Sequence, residues 1–368
     1  MNDIEKRFYF FIGTKAELIK LMGVIQEFQK HHIPFKIIAS GQNNIAQSDI
    51  FKLLNLKIDI NLYEKSVQPS ILFFAIWFFK TFFKALINLR SEFKNIKRGK
   101  SYIIIHGDTP SSLIGALVGK RYGLKIAHVE AGYQSLDLFH PFPEEINRKI
   151  ISYLADIHFC SYEKNVLNLK NRKGLKINTF YNTGIDSVQF ALAQPIESHL
   201  INRLKEKPYF IFVLHRQEHL FNKALALKLL TFLEETAGRL KGVFILHDPT
   251  RAFLEKMNLL DRFKAHTNIE LISPLPYVEF IRLLKGSAFI MGDGGSNQQE
   301  AFYLGKPCLL LRGVLEGEEG VGSNAILSKY NPEVIRNFTQ NYQHYQKLPI
   351  VPEVIPSKIV VNVLTTQS

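Results

Sequence analysis

Short, wholly apolar runs alternate with longer amphipathic stretches along almost the whole chain. Runs over 8–12, 35–39, 157–160, 209–214, 243–247, 269–272 and 288–292 read as strands, and two more begin at Tyr102 and Leu124. A strand covered by helices on both faces shows no polar alternation, so a continuous β-branched and aromatic run is its signature. Helical periodicity covers 18–30, 144–155, 222–239, 252–258, 277–285 and 297–304. This alternation predicts an α/β protein with parallel, doubly wound sheets. At 368 residues the chain is long for one domain and natural for two. The pattern breaks near Asn182-Thr183-Gly184-Ile185-Asp186 and restarts at Tyr209. We therefore expect two Rossmann-like domains, 1–184 and 185–368, facing a cleft, with the option that the final helix packs back on the first.

Residues 71–89 are apolar and aromatic nearly throughout, close to the length of a membrane span, which takes about 20 residues. Lys80 and Lys84 interrupt them, one turn apart, on a face shared with Trp77 and Asn88. Phe74, Phe78, Phe82, Leu86 and Leu89 form the opposite face, and cations follow at Arg90, Lys94, Lys97, Arg98 and Lys100. An aromatic face beside lysines and a basic tail is the pattern of a helix lying in a membrane interface. Packing on the sheet and on a second subunit is the alternative, since an apolar stripe is usually core. A span is disfavoured, because a sheet strand begins almost at once at Tyr102.

The hydrophobic content of 46% supplies a core for each half, and the net charge of +13 asks for anionic partners. Nucleic acid is disfavoured, because no zinc spacing, RNA-binding aromatic motif or helix-turn-helix is visible. Anionic small substrates, or an anionic membrane surface, account for the charge better. Cys160 and Cys308 lie in apolar segments without metal-ligand spacing, which points to buried thiols in a reducing compartment. Met1 to Arg7 carry both signs of charge and run straight into a strand, an order that fits no signal peptide. A cytoplasmic protein is expected, with a peripheral place on the inner membrane face if helix 71–89 binds lipid.

Candidate chemistry sits at strand ends, where ligands of open α/β sheets bind. The strand from Tyr102 stops at His106-Gly107-Asp108-Thr109, and the next places Glu130 in His128-Val129-Glu130-Ala131-Gly132. Two neighbouring carboxylates there suggest an acid/base site; capping of the following helices is the plainer role. Glu144 follows Pro143 at a helix start, where the macrodipole favours an acid. Glu145 shares that role and stays outside the catalytic set, and Arg148 reads as the i,i+4 partner of Glu144. His215 ends a strand beside Arg216, where contact with a diphosphate competes with the role of a satisfied core histidine. Gly292-Asp293-Gly294-Gly295-Ser296-Asn297 joins a strand to a helix, so its amides can cradle phosphate, although glycine serves a tight turn equally well.

Taken in order, these pieces resemble the non-hydrolysing UDP-N-acetylglucosamine 2-epimerases. The matching motifs are an opening Gly-Thr turn with a glutamate, Ser40-Gly41-Gln42, His106-Gly107-Asp108-Thr109 and His128-Val129-Glu130-Ala131-Gly132. Pro143-Glu144-Glu145-Ile146-Asn147-Arg148, His215-Arg216, Pro274-Leu275-Pro276-Tyr277, Gln298-Gln299-Glu300-Ala301 and Gly305-Lys306-Pro307 complete them. The resemblance implies a GT-B type fold of two Rossmann-like domains, and inversion at C2 of a UDP-N-acetylhexosamine for surface polysaccharide synthesis. It implies elimination of UDP to a 2-acetamidoglucal and re-addition, with Asp108, Glu130 and Glu144 as catalytic carboxylates and His215 in the same site. Which carboxylate faces C2 stays open. The substrate set it implies is Lys15, Arg216, Gly294, Gly295, Ser296 and Glu300, the last toward the ribose hydroxyls; a homodimer is expected. No metal cluster is visible, and elimination–addition needs no redox cofactor.

The chain also departs from that pattern. Lys15-Ala16-Glu17 replaces Arg-Pro-Glu, which keeps a charge but loses bidentate phosphate binding. Tyr133-Gln134 stands where the family has an arginine, the phosphate loop reads Asp-Gly-Gly-Ser-Asn, and Leu315-Glu316-Gly317-Glu318-Glu319 follows Arg312. The acid/base set is kept while the substrate set is altered. A membrane-surface glycosyltransferase using a UDP-sugar and a lipid-linked acceptor is the first rival reading. A catalytically silent nucleotide-sugar sensor is the second, disfavoured because such a protein has little need for these acids.

Overall fold

The computed structural model describes residues 6–62, 71–94, 96, 98–134, 143–315 and 317–366, with only the backbone over 71–74. It divides into two compact units, Met1–Ser187 with Pro352–Ser368, and Val188–Val351. The change of unit falls inside the helix Gly184–Ala193, and the last helix, Pro356–Thr366, belongs to the first unit.

The first unit carries seven strands: β1 (Phe8–Ile12), β2 (Phe35–Ala39), β3 (Ile60–Asn61), β4 (Tyr102–His106), β5 (Lys125–Ala131), β6 (Ile157–Cys160) and β7 (Leu175–Asn178). They pair in the order β3-β2-β1-β4-β5-β6-β7, every pair parallel. β1 and β4 are buried along their whole length, as their unbroken apolar sequences require. The helix Pro110–Tyr122 lies close on the sheet because Gly115 and Gly119 leave no room for more: an added Cβ would stand 2.8 Å from Ile105 and 2.5 Å from Ile103.

The second unit holds β8 (Tyr209–Val213), β9 (Lys241–Ile245), β10 (Ile269–Ile272), β11 (Ile290–Gly292), β12 (Cys308–Leu310) and β13 (Ala325–Leu327). Their order is β10-β9-β8-β11-β12-β13, again parallel throughout. Its core is built from Phe210, Phe212, Phe244, Phe263 and Phe289 with the leucines of the helix Lys223–Ala237.

Both sheets reverse their chain order at the centre, β1 lying between β2 and β4, and β8 between β9 and β11. Beyond the carboxyl ends at such a switch point an open sheet leaves its ligand crevice. In the first unit the turns there are Gly13-Thr14 and Gly107-Asp108; in the second they are His215-Arg216 and Asp293-Gly294.

The aromatic helix spans Ile71–Asn88, and it packs with a different face from the one expected. Trp77, Phe78, Phe82 and Leu86, with the buried Ala85 and Leu89, lie against the core of the first unit. Phe78 and Phe82 are therefore partly buried against that core, and Trp77 does not share an outer face with the lysines. The helix rests on the sheet, so its most continuous apolar face is consumed inward. Left outside, one position over, are Ile76 (42% exposed), Phe79 (59%), Phe83 (58%) and Ile87 (73%). The following cations Arg90, Lys94, Arg98 and Lys100 are exposed; Lys97 and the side chain of Phe74 lie outside the described residues. Among the described residues, no helix is long and apolar enough to cross a membrane.

Candidate active site

In the first unit the chain turns sharply at each strand end. Gly107 adopts φ +65° after β4, and Glu130 itself has φ +63° where the β5–β6 register shifts. A left-handed glutamate costs energy, of order 1–3 kcal/mol, and persists only where its surroundings fix it. Three groups do so. Lys20 Nζ lies 2.6 Å from Glu130 Oε2, the Asn182 amide donates to the same oxygen, and His106 Nε2 is 3.4 Å away. Burial alone would raise the proton affinity of Glu130, but Lys20 and His106 outweigh it and hold the carboxyl well below the usual range.

Asp108, in the turn that follows β4, is ion-paired with Arg148, while its backbone carbonyl accepts from Asn147 Nδ2 at 2.8 Å. Arg148 also meets Glu145 Oε2 at 3.0 Å. These bonds tie the helix Glu144–Leu154, which Glu144 opens, to the end of β4. His128 is structural: burial and the neighbouring His158 push its imidazole down to about 3, and the neutral ring donates through Nε2 to Gly107 O at 2.7 Å. A cavity of about 310 Å³ adjoins the cluster, lined by Glu130, Gln134, Glu145 and Arg148 among others.

Glu17 completes the opening turn. Its carboxylate accepts from the amides of Gly13 (2.6 Å) and Thr14 (2.8 Å), from Thr109, and from Ser112 at 3.0 Å. Burial raises its proton affinity in spite of those donors. Lys15, assigned to the substrate from the sequence, is half-exposed and 3.0 Å from Asp49.

The second unit gathers its polar groups around Asp293, which is fully buried at the end of β11. His215 Nδ1 lies 3.0 Å from Asp293 Oδ1, and the amides of His215 and Arg216 donate to Oδ2 at 3.0 and 2.9 Å. His219 Nδ1 is 2.9 Å from the same Oδ2, and Arg312 Nε donates to the Asp293 carbonyl at 2.7 Å. Gly294 abuts the His215 ring: a Cβ there would stand 3.1 Å from Cε1. The helix Gly295–Tyr303 starts at Gly294 without a side-chain cap, so its first amides and dipole point at the crevice end of the sheet. Glu300 is buried, not solvent-facing, and Asn297 donates to it at 3.2 Å. Gln298 and Gln299 fasten the 317–319 segment to this helix, through Gly317 O (3.0 Å), Glu319 O (2.9 Å) and Glu319 Oε1 (3.1 Å); Glu316 lies outside the described residues.

Each unit thus brings its own share of the expected residues together: Asp108 and Glu130 with the helix of Glu144, and His215 and Arg216 with Gly294, Gly295, Ser296 and Glu300. Sequence reading passed over Lys20, Asn182, Asp293, His219 and Arg312 as chemical groups. Among the described residues no cluster of His, Cys, Asp or Glu is suited to a metal ion.

Two Rossmann-like units with polar clusters at their switch points define a nucleotide-sugar enzyme architecture of the GT-B type. The family model for UDP-N-acetylglucosamine 2-epimerase matches residues 26–349, and the chain belongs to that family. It is 29% identical over 341 residues to a UDP-N-acetylglucosamine 2-epimerase of Campylobacter jejuni, covering 87% of this chain and 85% of that protein. A UDP-2,3-diacetamido-2,3-dideoxy-D-glucuronate 2-epimerase of Pseudomonas aeruginosa is 31% identical over 249 residues, 66% of this chain and 68% of its own. Among solved structures, the Methanocaldococcus jannaschii UDP-GlcNAc 2-epimerase in complex with UDP-GlcNAc and UDP superposes with a TM-score of 0.78 at 26% identity, covering 98% of this chain and 100% of that one.

Proposed function

We propose that this chain inverts the configuration at C2 of a UDP-N-acetylhexosamine, taking the gluco to the manno compound. The observation that carries the reading is the ionised Glu130 held by Lys20 at one strand end, beside the Asp108–Arg148 pair at the next. The C2 proton is not acidic, so the route is elimination: a carboxylate takes that proton, the C1–O bond breaks, and UDP leaves with the electron pair. Re-addition of UDP to the resulting 2-acetamidoglucal, with a proton delivered to the other face of C2, gives the epimer.

Efficient proton transfer wants a group whose proton affinity lies near the working pH. We assign Glu130, held by Lys20 and Asn182, to stabilising positive charge that develops at C1. Asp108 and Glu144 then carry the proton. The Gly295 and Ser296 amides and His215 hold the departing diphosphate, Arg216 and Lys15 contribute charge toward it, and Glu300 takes the ribose hydroxyls. The reading places the protein in the cytoplasm, supplying surface polysaccharide synthesis.

For partners, we assign the outer stripe Ile76, Phe79, Phe83 and Ile87 to a second copy of this chain in a homodimer. The exposed cations from Arg90 to Lys100 make an anionic membrane surface the competing occupant. Proton NMR of the anomeric region tests the catalytic reading. UDP-N-acetylglucosamine must yield its manno epimer, and Asp108→Asn must slow this by about 10²–10⁴-fold. Transfer of the sugar to an acceptor instead would make the chain a glycosyltransferase.

A further inference from the structure

Every oxygen of the Asp293 carboxylate is committed to a histidine. Oδ2 accepts the backbone N–H groups of His215 and Arg216 and faces His219 Nδ1 at 2.9 Å; Oδ1 lies 3.0 Å from His215 Nδ1. Burial opposes ionisation of this carboxyl, yet the facing donors hold it far below the ordinary carboxylate range. An ionised carboxylate only accepts, so each Nδ1 turned toward it must carry a hydrogen.

The two histidines differ in what remains. His219 is spent, being 1% exposed with its Nε2 2.9 Å from the Tyr330 hydroxyl. The His215 side chain is 36% exposed and leans on Gly294. Its Nδ1 stands 3.0 Å from Asp293 Oδ1 without an aligned hydrogen bond, and such geometry often tightens only in a substrate complex. The His247 ring lies 4.9 Å from the His215 ring, and Arg216, Glu218, Arg312 and Tyr330 are the other charged or titratable groups around the pair.

We infer that Asp293 is a positioning residue: its carboxylate fixes His215 in the Nδ1–H tautomer, leaving Nε2 directed outward as the nitrogen that meets the ligand. Neutral, that nitrogen accepts a hydrogen bond; protonated, it donates one to an anionic oxygen. The use made of Nε2 rests on the epimerase reading, whereas the tautomer does not.

Nitrogen-15 NMR of the full chain labelled at histidine decides the matter, with the His215 signals identified by their loss in His215→Gln. The wild type should show neutral His215 protonated at Nδ1. Asp293→Asn, folded by circular dichroism, should show a tautomer mixture and a kcat lower by about 10²–10⁴-fold with KM little changed. A wild-type spectrum with the proton on Nε2 overturns the inference, as does a folded Asp293→Asn protein with wild-type tautomer and kcat. If Asp293→Asn does not fold, the wild-type spectrum alone decides. A wild type with the expected tautomer and no epimerisation sinks the functional reading and leaves this one standing.

Discussion

Lys20 and Glu130, 110 residues apart in the chain, meet at 2.6 Å with both side chains largely withdrawn from water. Breaking a buried pair from one side leaves an uncompensated charge and costs about 3–5 kcal/mol. Lys20→Met should therefore lower stability by an amount of that order. The sign with pH is fixed by the depressed carboxyl. The pair contributes fully above the unfolded-state value of about 4.3 and loses its contribution as pH falls toward the lower folded value. Urea denaturation at neutral pH and near pH 4 should show the gap between wild type and Lys20→Met shrinking in acid; a constant gap would deny Glu130 its ionised state.

Asp186 titrates the other way. Burial raises its carboxyl to about 6, while it accepts the Ser357 amide at 2.8 Å near the start of the helix Pro356–Thr366. The folded state then holds this proton more tightly than the unfolded chain, so stability declines as pH rises from about 4 through 6. The full decline is about 3 kcal/mol, since one pKa unit is worth about 1.4. Asp186→Asn should flatten that segment of the stability profile, measured by urea midpoints at half-unit steps. An unchanged slope would show that other groups produce it.

On the aromatic helix, two double changes at neighbouring positions should behave oppositely. Phe79→Ser with Phe83→Ser lies on the outer stripe and should leave unit stability nearly intact while converting a dimer to monomers in sedimentation velocity. Phe78→Ser with Phe82→Ser removes packing against the core and should destabilise the fold, by less per residue than the roughly 3–5 kcal/mol of a fully buried phenylalanine because both rings are only partly buried. A wild-type monomer that binds anionic vesicles, and loses them with the outer pair, would hand the stripe to the membrane instead.

Glu300 should matter to nucleotide binding whatever the chemistry. A hydrogen bond to a charged group is worth about 1.5–3 kcal/mol, so Glu300→Ala should weaken UDP binding more than tenfold by calorimetry. Equal Kd values would remove Glu300 from the site.

Much of this was legible in the sequence because strands buried on both faces cannot be disguised. β1, β4 and β8 are unbroken apolar runs, and the residues ending them were readable as candidates for that reason alone. β3, β12 and β13 are two or three residues long, and β7 is a half-exposed edge carrying Lys176 and Asn178, so none of them leaves a pattern. The helix Pro110–Tyr122 is buried nearly all round, which erases the helical period. Lys20 and Asn182 reach Glu130 across 110 and 52 residues of chain, a relation no local spacing carries. Asp293 read as a turn residue among glycines, because the two histidines it serves lie 74 and 78 positions away. The face of the aromatic helix was misjudged because its apolar arc is wide enough to supply both a core side and an outer stripe.

The most direct test of the central claim is incubation with UDP-N-acetylglucosamine in deuterated water, following C2 by proton NMR. Elimination and re-addition must place deuterium at C2 of both the manno product and the recovered gluco substrate, at rates cut by Asp108→Asn and Glu130→Gln. An epimer that forms with its original C2 proton retained, or a substrate that never exchanges, would contradict the account.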